Sequence, residues 1–447
     1  DLGINAVELM PIQAFPGDSS WGYNPVFYFA PAQVYGSPSE LKAFVNACHR
    51  RRIAVILDVA FNHAWGEHPY YHIYPPLFGP NGEWLADWNP FFHQTPQAVN
   101  MWGGVDWDHF APITTRYFQD IVGYWLQEYH VDGFRFDYTH SSTMHHGFLN
   151  RLADELQALK PDVILIAENM PNESDLNRQG FNGFAQWHDR FHDGVKALLR
   201  EGPFEAMNNH PEVLGEMFYF SKGGFAAHTN NVVNYCESHD ENSTAFEIAT
   251  SGNPNLTTPQ AKTRKAMLGF GASMLALGQP MLYMGQEFGV ERERNLVYYE
   301  RPADPSQHHF FRWAAGLMHL RRRYPALKLH GFDPIADGQF EWIAGPWLDG
   351  RHGAGKRVIG WRARPSDNPL DGMVILLNFE NHPVEIDLEL GTPGTWVRLA
   401  TIDEIDDVPP MGDNGVERET SLKSPDGRLP GFVLPDSSLF VYKLEVV

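Results

Sequence analysis

Short apolar runs alternate with amphipathic helical stripes over residues 1–330, and after 330 short strands are parted by Gly, Pro and Asp turns. This pattern predicts an α/β fold, a (β/α)8 TIM barrel, followed by a C-terminal antiparallel β-sandwich. The 447 residues exceed one ordinary domain, so the barrel is expected over 1–330 and the sandwich over 331–447. The strand runs are Ile4–Met10, Ile53–Val59, Val131–Asp137, Val163–Glu168, Phe184–Trp187, Val232–Glu237 and Gln279–Gly285. They are continuously hydrophobic, as strands covered on both faces are. Only seven can be found, so the first barrel strand is expected to precede residue 1.

The intervening helices carry their own signals. Ser37-Pro38-Ser39-Glu40 is a capping box with Pro at the first helical position. Behind it Leu41, Phe44, Val45 and Cys48 form an apolar stripe. Tyr117, Phe118, Ile121, Val122, Trp125, Leu126 and Tyr129 form a second, and Phe148, Leu149, Leu152, Leu156 and Leu159 a third that Pro161 stops. Residues 64–113 are irregular and rich in Trp, Tyr, Phe, His, Pro and Asn. A loop of that length inside a barrel is expected to form a small subdomain over the C-terminal face. Beyond 330, strands are expected at 339–345, 357–364, 372–380, 384–390 and 438–446.

Composition narrows the partners. A net charge of −21 counts against nucleic acid and anionic membranes, which need basic patches, but not against a neutral sugar. Aromatics make up 13% of the chain, and aromatic faces suit sugar rings, although most aromatics serve as core. The two cysteines, Cys48 and Cys236, read as buried thiols rather than a disulfide, and no Cys/His spacing resembles a metal site. The most apolar stretch, 266–285, is broken by Gly269, Gly271, Gly278 and Pro280, so no membrane span is expected. A cytoplasmic location is the expectation, and oligomeric state is left open.

Polar residues collect where the predicted strands end. These are Asp58, Asn62 and His63; Arg135 and Asp137; Glu168; and Ser238, His239 and Asp240. Arg135 and Asp137, two positions apart, share one face of a strand. The guanidinium is expected to keep Asp137 ionised, as a glycosidase nucleophile must be. Glu168 follows the apolar run Val163–Ala167, and an apolar setting raises a carboxyl pKa, as a proton donor needs. Asp240 is expected to bind sugar hydroxyls, His63 and His239 to donate hydrogen bonds to them, and Tyr23 to offer its face to the ring. Taken singly, Glu168 reads as an ion-pair partner, the two histidines and Tyr23 as core, and Asp58 as the residue that holds Arg135. Their joint occurrence at strand ends favours a site.

In order along the chain, DVAFNH (58–63), GFRFD (133–137), AEN (167–169) and SHD (238–240) resemble the four motifs of the α-amylase family, family 13 of the glycoside hydrolases. The resemblance implies Asp137 as nucleophile, Glu168 as acid/base and Asp240 as transition-state stabiliser. It further implies Tyr23, His63, Arg135 and His239 around the attacked sugar, with Asp58 and Asn62 beside them. The implied activity is retaining cleavage of α-1,4-glucosidic bonds in an α-glucan or maltooligosaccharide. GINAVELMPIQAFPG (3–17) and the stretch 167–194 look like maltooligosyltrehalose trehalohydrolases, whereas ESHDE (237–241) and MGQEFG (284–289) look like branching enzymes. Asn62 stands where bacterial branching enzymes usually carry Ser, which fits a hydrolase. A non-catalytic sugar-binding relative would lack a carboxylate, yet all three are present. No cofactor is expected, and Ser141 stands where calcium-dependent members carry His, which counts against their calcium site.

Overall fold

A computed structural model describes residues 2–74, 77–78, 80–81, 84–85, 89–93, 104–140, 144–178, 182–201, 211–219, 224–256, 258–294, 305–365, 371–405 and 421–445. It divides into two compact units: Ile4–Trp187, and Asp1–Gly3 with His188–Val447.

In the first unit five strands run parallel and pair in chain order: Ala6–Leu9, Ala54–Val59, Gly133–Phe136, Ile164–Ala167 and Ala185–Trp187. Each lies inside an expected run. Helices Pro38–Arg50, Pro112–Tyr129 and His146–Leu159 connect them. The capping box forms, with the Ser37 hydroxyl accepting from the Glu40 N–H and Glu40 accepting from the Ser37 N–H. Register sorts the strand residues into two faces. Val55, Leu57, Val59, Phe134, Phe136, Leu165 and Ala167 join one core with Phe118, Trp125, Leu149 and Leu156 of the helices. Truncating one of these, as in Leu57→Ala, costs about 2–5 kcal/mol. The alternate residues, Glu8, Asp58, Arg135 and Ile166, lie on the other face, with Asp58 beside Arg135 and Arg135 beside Ile166 in the ladder. Gly133 lets two of these strands approach, since a Cβ there would meet the Ile164 carbonyl oxygen at 2.2 Å.

Of the expected subdomain at 64–113, the described part contains His63–Trp65 paired with Gly104–Asp106, a helix Pro69–Ile73, and a hairpin of Leu77–Phe78 with Trp84–Leu85. Its aromatics pack largely on one another. Trp107 is fully buried and stacks on Phe92 at 4.1 Å, and Tyr70 stacks on Phe91 at 4.5 Å. Much of the aromatic surplus here is core.

In the second unit Val232–Asn234 and Gln279–Pro280 are parallel neighbours, and helices Asp189–Arg200, Thr244–Ser251, Pro259–Leu275 and Pro305–Arg323 surround them. A six-stranded antiparallel sheet follows, in the order Phe340–Ala344, Val358–Ala363, Met373–Asn378, Ser438–Glu445, Gly394–Thr401 and Ser421–Ser424. Val384–Glu389 pairs separately with Arg428–Leu434. Leu376, Trp396, Ile386 and Leu434 share a core between these two sheets. The larger sheet's opposite face, through Ile375, Leu377 and Val441, joins one core with Phe270, Trp313 and Leu317. One core therefore runs through residues on both sides of position 330. Three strands escaped the sequence reading, and Arg428–Leu434 shows why: it is mostly exposed and interrupted by Pro430 and Gly431. The first unit's parallel strands, paired in chain order, are those expected of the α/β barrel.

Candidate active site

The first unit gathers Asp58, Arg135, Asp137 and Glu168 around one guanidinium. Arg135 is fully buried, and its Nη1 donates to Asp58 Oδ1 and Oδ2 at 2.8 and 2.9 Å and to Asp137 Oδ1 at 2.8 Å. Its Nη2 lies 2.8 Å from Glu168 Oε2, an ion pair whose N–H direction makes no hydrogen bond, and its Nε has no hydrogen-bond partner among the described residues. The guanidinium carbon sits 4.4 Å above the Trp187 ring, a cation–π contact that helps hold a charge out of water. Asp137 and Glu168 each keep 16% side-chain exposure, so both face an accessible space. Immediately after Asp137 the backbone turns left-handed at Tyr138 (φ 45°), a conformation uncommon for a bulky residue. That turn aims the Tyr138 N–H at Glu168 Oε2, 3.0 Å away.

The electrostatics differ from the expectation in two respects. Asp137 is pushed well up from its ordinary value: burial is the largest cause, Arg135 opposes it, and Glu168 and Asp58 add to it. Arg135 pulls against that rise, but one cation is shared among several acids. Glu168 does not sit in an apolar setting; its carboxylate lies against Arg135 and the Tyr138 N–H. A further acid, Glu8, was missed. It is half-buried, and burial first, then Asp58, pushes its carboxyl up to about 8. The sequence signal was a lone charge inside the apolar strand Ala6–Leu9. Trp187, the guanidinium's platform, was also missed.

Tyr23 follows Gly22, whose φ of 93° and 2.2 Å clearance to the Pro11 carbonyl oxygen exclude a side chain. Its hydroxyl donates to Asp58 Oδ2 at 2.6 Å, so Tyr23 and Arg135 together fix Asp58. His63 is 3% exposed, with Nδ1 2.7 Å from Asn62 Oδ1 and Nε2 2.7 Å from the Tyr23 carbonyl oxygen. Burial lowers its pKa. With both nitrogens engaged, His63 offers no N–H to a sugar in this conformation, and with Asn62 it acts as a strut under Tyr23.

In the second unit His239 Nε2 lies 3.1 Å from Asp240 Oδ2, and the exposed Arg294 reaches Asp240 Oδ1 at 3.4 Å. The Asp240 N–H donates to the Ser238 hydroxyl. Arg292, buried over the Tyr283 ring at 4.5 Å, donates to the Ser238 carbonyl oxygen. Both arginines were missed, since neither lies in a strand run. Cys48 and Cys236 are buried free thiols. Ser141 lies outside the described residues. Among the described residues no helix is long and apolar enough to cross a membrane.

Residues 1–100 match the α-amylase catalytic-domain model. A malto-oligosyltrehalose trehalohydrolase of Saccharolobus solfataricus is 30% identical over 67% of this chain and 53% of its own length. One from Rhizobium sp. is 26% identical over 90% of this chain and 73% of its own. A Bacillus subtilis pullulanase is 27% identical over 74% of this chain and 50% of its own. The chain thus spans about half the length of the first of these curated relatives, at 53%. Among solved structures, a pullulanase complexed with maltotetraose from Anoxybacillus sp. LM18-11 superposes with TM-score 0.74 at 21% identity, over 99% of this chain and 64% of that one. An Anoxybacillus α-amylase gives 0.70 at 17%, over 100% and 88%. Motifs, strand order and these likenesses agree: the chain belongs to the α-amylase family of glycoside hydrolases.

Proposed function

We propose that this chain performs retaining hydrolysis of α-1,4-glucosidic bonds. The observation that carries the reading is that Asp137 and Glu168, at the ends of adjacent parallel strands, both reach Arg135 at 2.8 Å. Such closeness suits the carboxyl separation of about 5–5.5 Å that retaining enzymes use. Asp137 attacks the anomeric carbon and forms a glycosyl ester, while Glu168 gives a proton to the departing oxygen. Glu168 then takes a proton from water, which attacks the ester and releases the sugar with its original anomeric configuration. The acid-rich cluster supports this chemistry: Glu8, pushed up to about 8 chiefly by burial, keeps a proton near neutral pH beside Asp58 and Arg135. Asp240, His239 and Asp58 would hold hydroxyls or the groups that face them.

The finer reading is a maltooligosyltrehalose trehalohydrolase, favoured because curated relatives similar to this chain in sequence carry that name. Incubation with maltooligosyltrehalose, amylose and pullulan, followed by proton NMR, tests both levels. Trehalose release that far outpaces amylose cleavage supports the finer reading. Preferential amylose or pullulan cleavage removes it, and branches appearing without new reducing ends would replace hydrolysis by branching. An inverted first-formed anomer would overturn the retaining mechanism.

A further inference from the structure

We propose that His146, Glu173 and Asp175 form a binding site for a first-row divalent cation, with zinc the best match. His146 opens the helix His146–Leu159 and is 6% exposed. Glu173 and Asp175 lie on the segment that follows Glu168. One potential ligand atom from each residue lies within 4.8 Å of the others. The polarity around the imidazole points to a cation. Nε2 faces two acceptors, the Thr139 carbonyl oxygen at 2.8 Å and Asn169 Oδ1 at 3.1 Å. The Asn169 orientation follows from its own contact: its amide nitrogen donates to the Pro171 carbonyl oxygen at 2.9 Å, which leaves Oδ1 toward Nε2. With Nε2 turned to these two acceptors, Nδ1 is the ring nitrogen that faces the carboxylates. Among the described residues Nδ1 faces two carboxylates, Asp175 Oδ2 at 2.7 Å and Glu173 Oε2 at 3.8 Å. A cation seated among these three groups would take one atom of each as a ligand.

Anchoring of a ligating imidazole by a backbone carbonyl at its other nitrogen is the usual second shell of a metal site. One imidazole and two carboxylates, with room for water, suit zinc-like ions; calcium takes six to eight oxygens. Ligation at about 2.0–2.2 Å requires the Nδ1–Oδ2 gap to open, and the Asp175 side chain, 55% exposed, can provide this by a rotamer change. The Glu173 backbone is already fixed, exchanging hydrogen bonds in both directions with the fully buried Gln186 side chain. A bound ion would clamp the segment after Glu168 to the helix that begins at His146.

The test is titration of chelator-treated protein with Co²⁺ and Zn²⁺, read by calorimetry and by the visible Co²⁺ spectrum, for wild type, Asp175→Asn, Glu173→Gln and His146→Gln. Wild type is expected to take up one more tight equivalent than His146→Gln, with affinity weakened at least about tenfold in each carboxamide variant. Circular dichroism checks folding, and the exposed Asp175→Asn change decides the matter if His146→Gln does not fold. Identical isotherms for wild type and Asp175→Asn, or no uptake by wild type, overturn the proposal and leave His146 as a hydrogen-bond partner of Asp175 alone.

Discussion

At the strand ends of the first unit one guanidinium, Arg135, meets Asp58, Asp137 and Glu168, with Glu8 acting on the same group. In the helices of the second unit Lys196, His192 and Arg200 share Glu241 and Glu247. Residue types and burial are alike, but the balance is reversed. Acid outnumbers base in the first cluster, and two of its carboxyls, Asp137 and Glu8, are pushed up, Glu8 to about 8. In the second, three bases face two carboxylates. There burial opposes the charge on Glu241, but His192 and Lys196 outweigh it and hold the carboxyl down to about 2. Ion pairs that are balanced stabilise a fold, whereas an excess of acid around one cation keeps protons available for transfer.

The contrast breaks most visibly on substitution. Asp137→Asn should lower kcat by at least about a thousandfold, since it removes the attacking atom. Its melting temperature should not fall below wild type, because the change relieves an acid-rich cluster. Lys196→Met should do the opposite, costing about 2–4 kcal/mol in urea unfolding by leaving Glu241 and Glu247 short of a partner.

Smaller effects lie in the pH dependence. Glu8 has a raised folded pKa, so its contribution to stability is complete below its ordinary 4.5 and is lost as pH rises toward about 8. Glu8→Gln should therefore gain on wild type across that interval in thermal melts. Glu241 has a depressed pKa, so its contribution is complete above 4.5 and is lost as pH falls toward about 2. The deficit of Glu241→Gln should shrink over that lower interval. Parallel pH profiles for the two variants would erase the distinction between the clusters.

Much of this was legible in the sequence. Continuous apolar runs marked the parallel strands because both faces are covered, and polar residues at their ends converged as expected at Asp58, Arg135, Asp137 and Glu168. What failed was anything that depends on counting neighbours in space. A local Arg–Asp pair suggested a carboxyl held low at Asp137, but burial and the neighbouring Glu168 and Asp58 push it up. His63 looked like a free donor until Tyr23 and Asn62 occupied its nitrogens. The ligands of the proposed cation site lie on a helix start and a later segment, so no local spacing announced them.

The central claim is that Asp137 is the nucleophile in a cluster that supplies its own proton donor. Glu168→Gln removes that donor and the base needed for ester hydrolysis. When this variant is given an α-glycosyl fluoride, whose fluoride leaves without protonation, the intermediate should accumulate. Proteolysis and mass spectrometry should then find one glycosyl unit on the peptide containing Asp137. An adduct on another residue, or turnover to the inverted anomer with no adduct, would contradict the account.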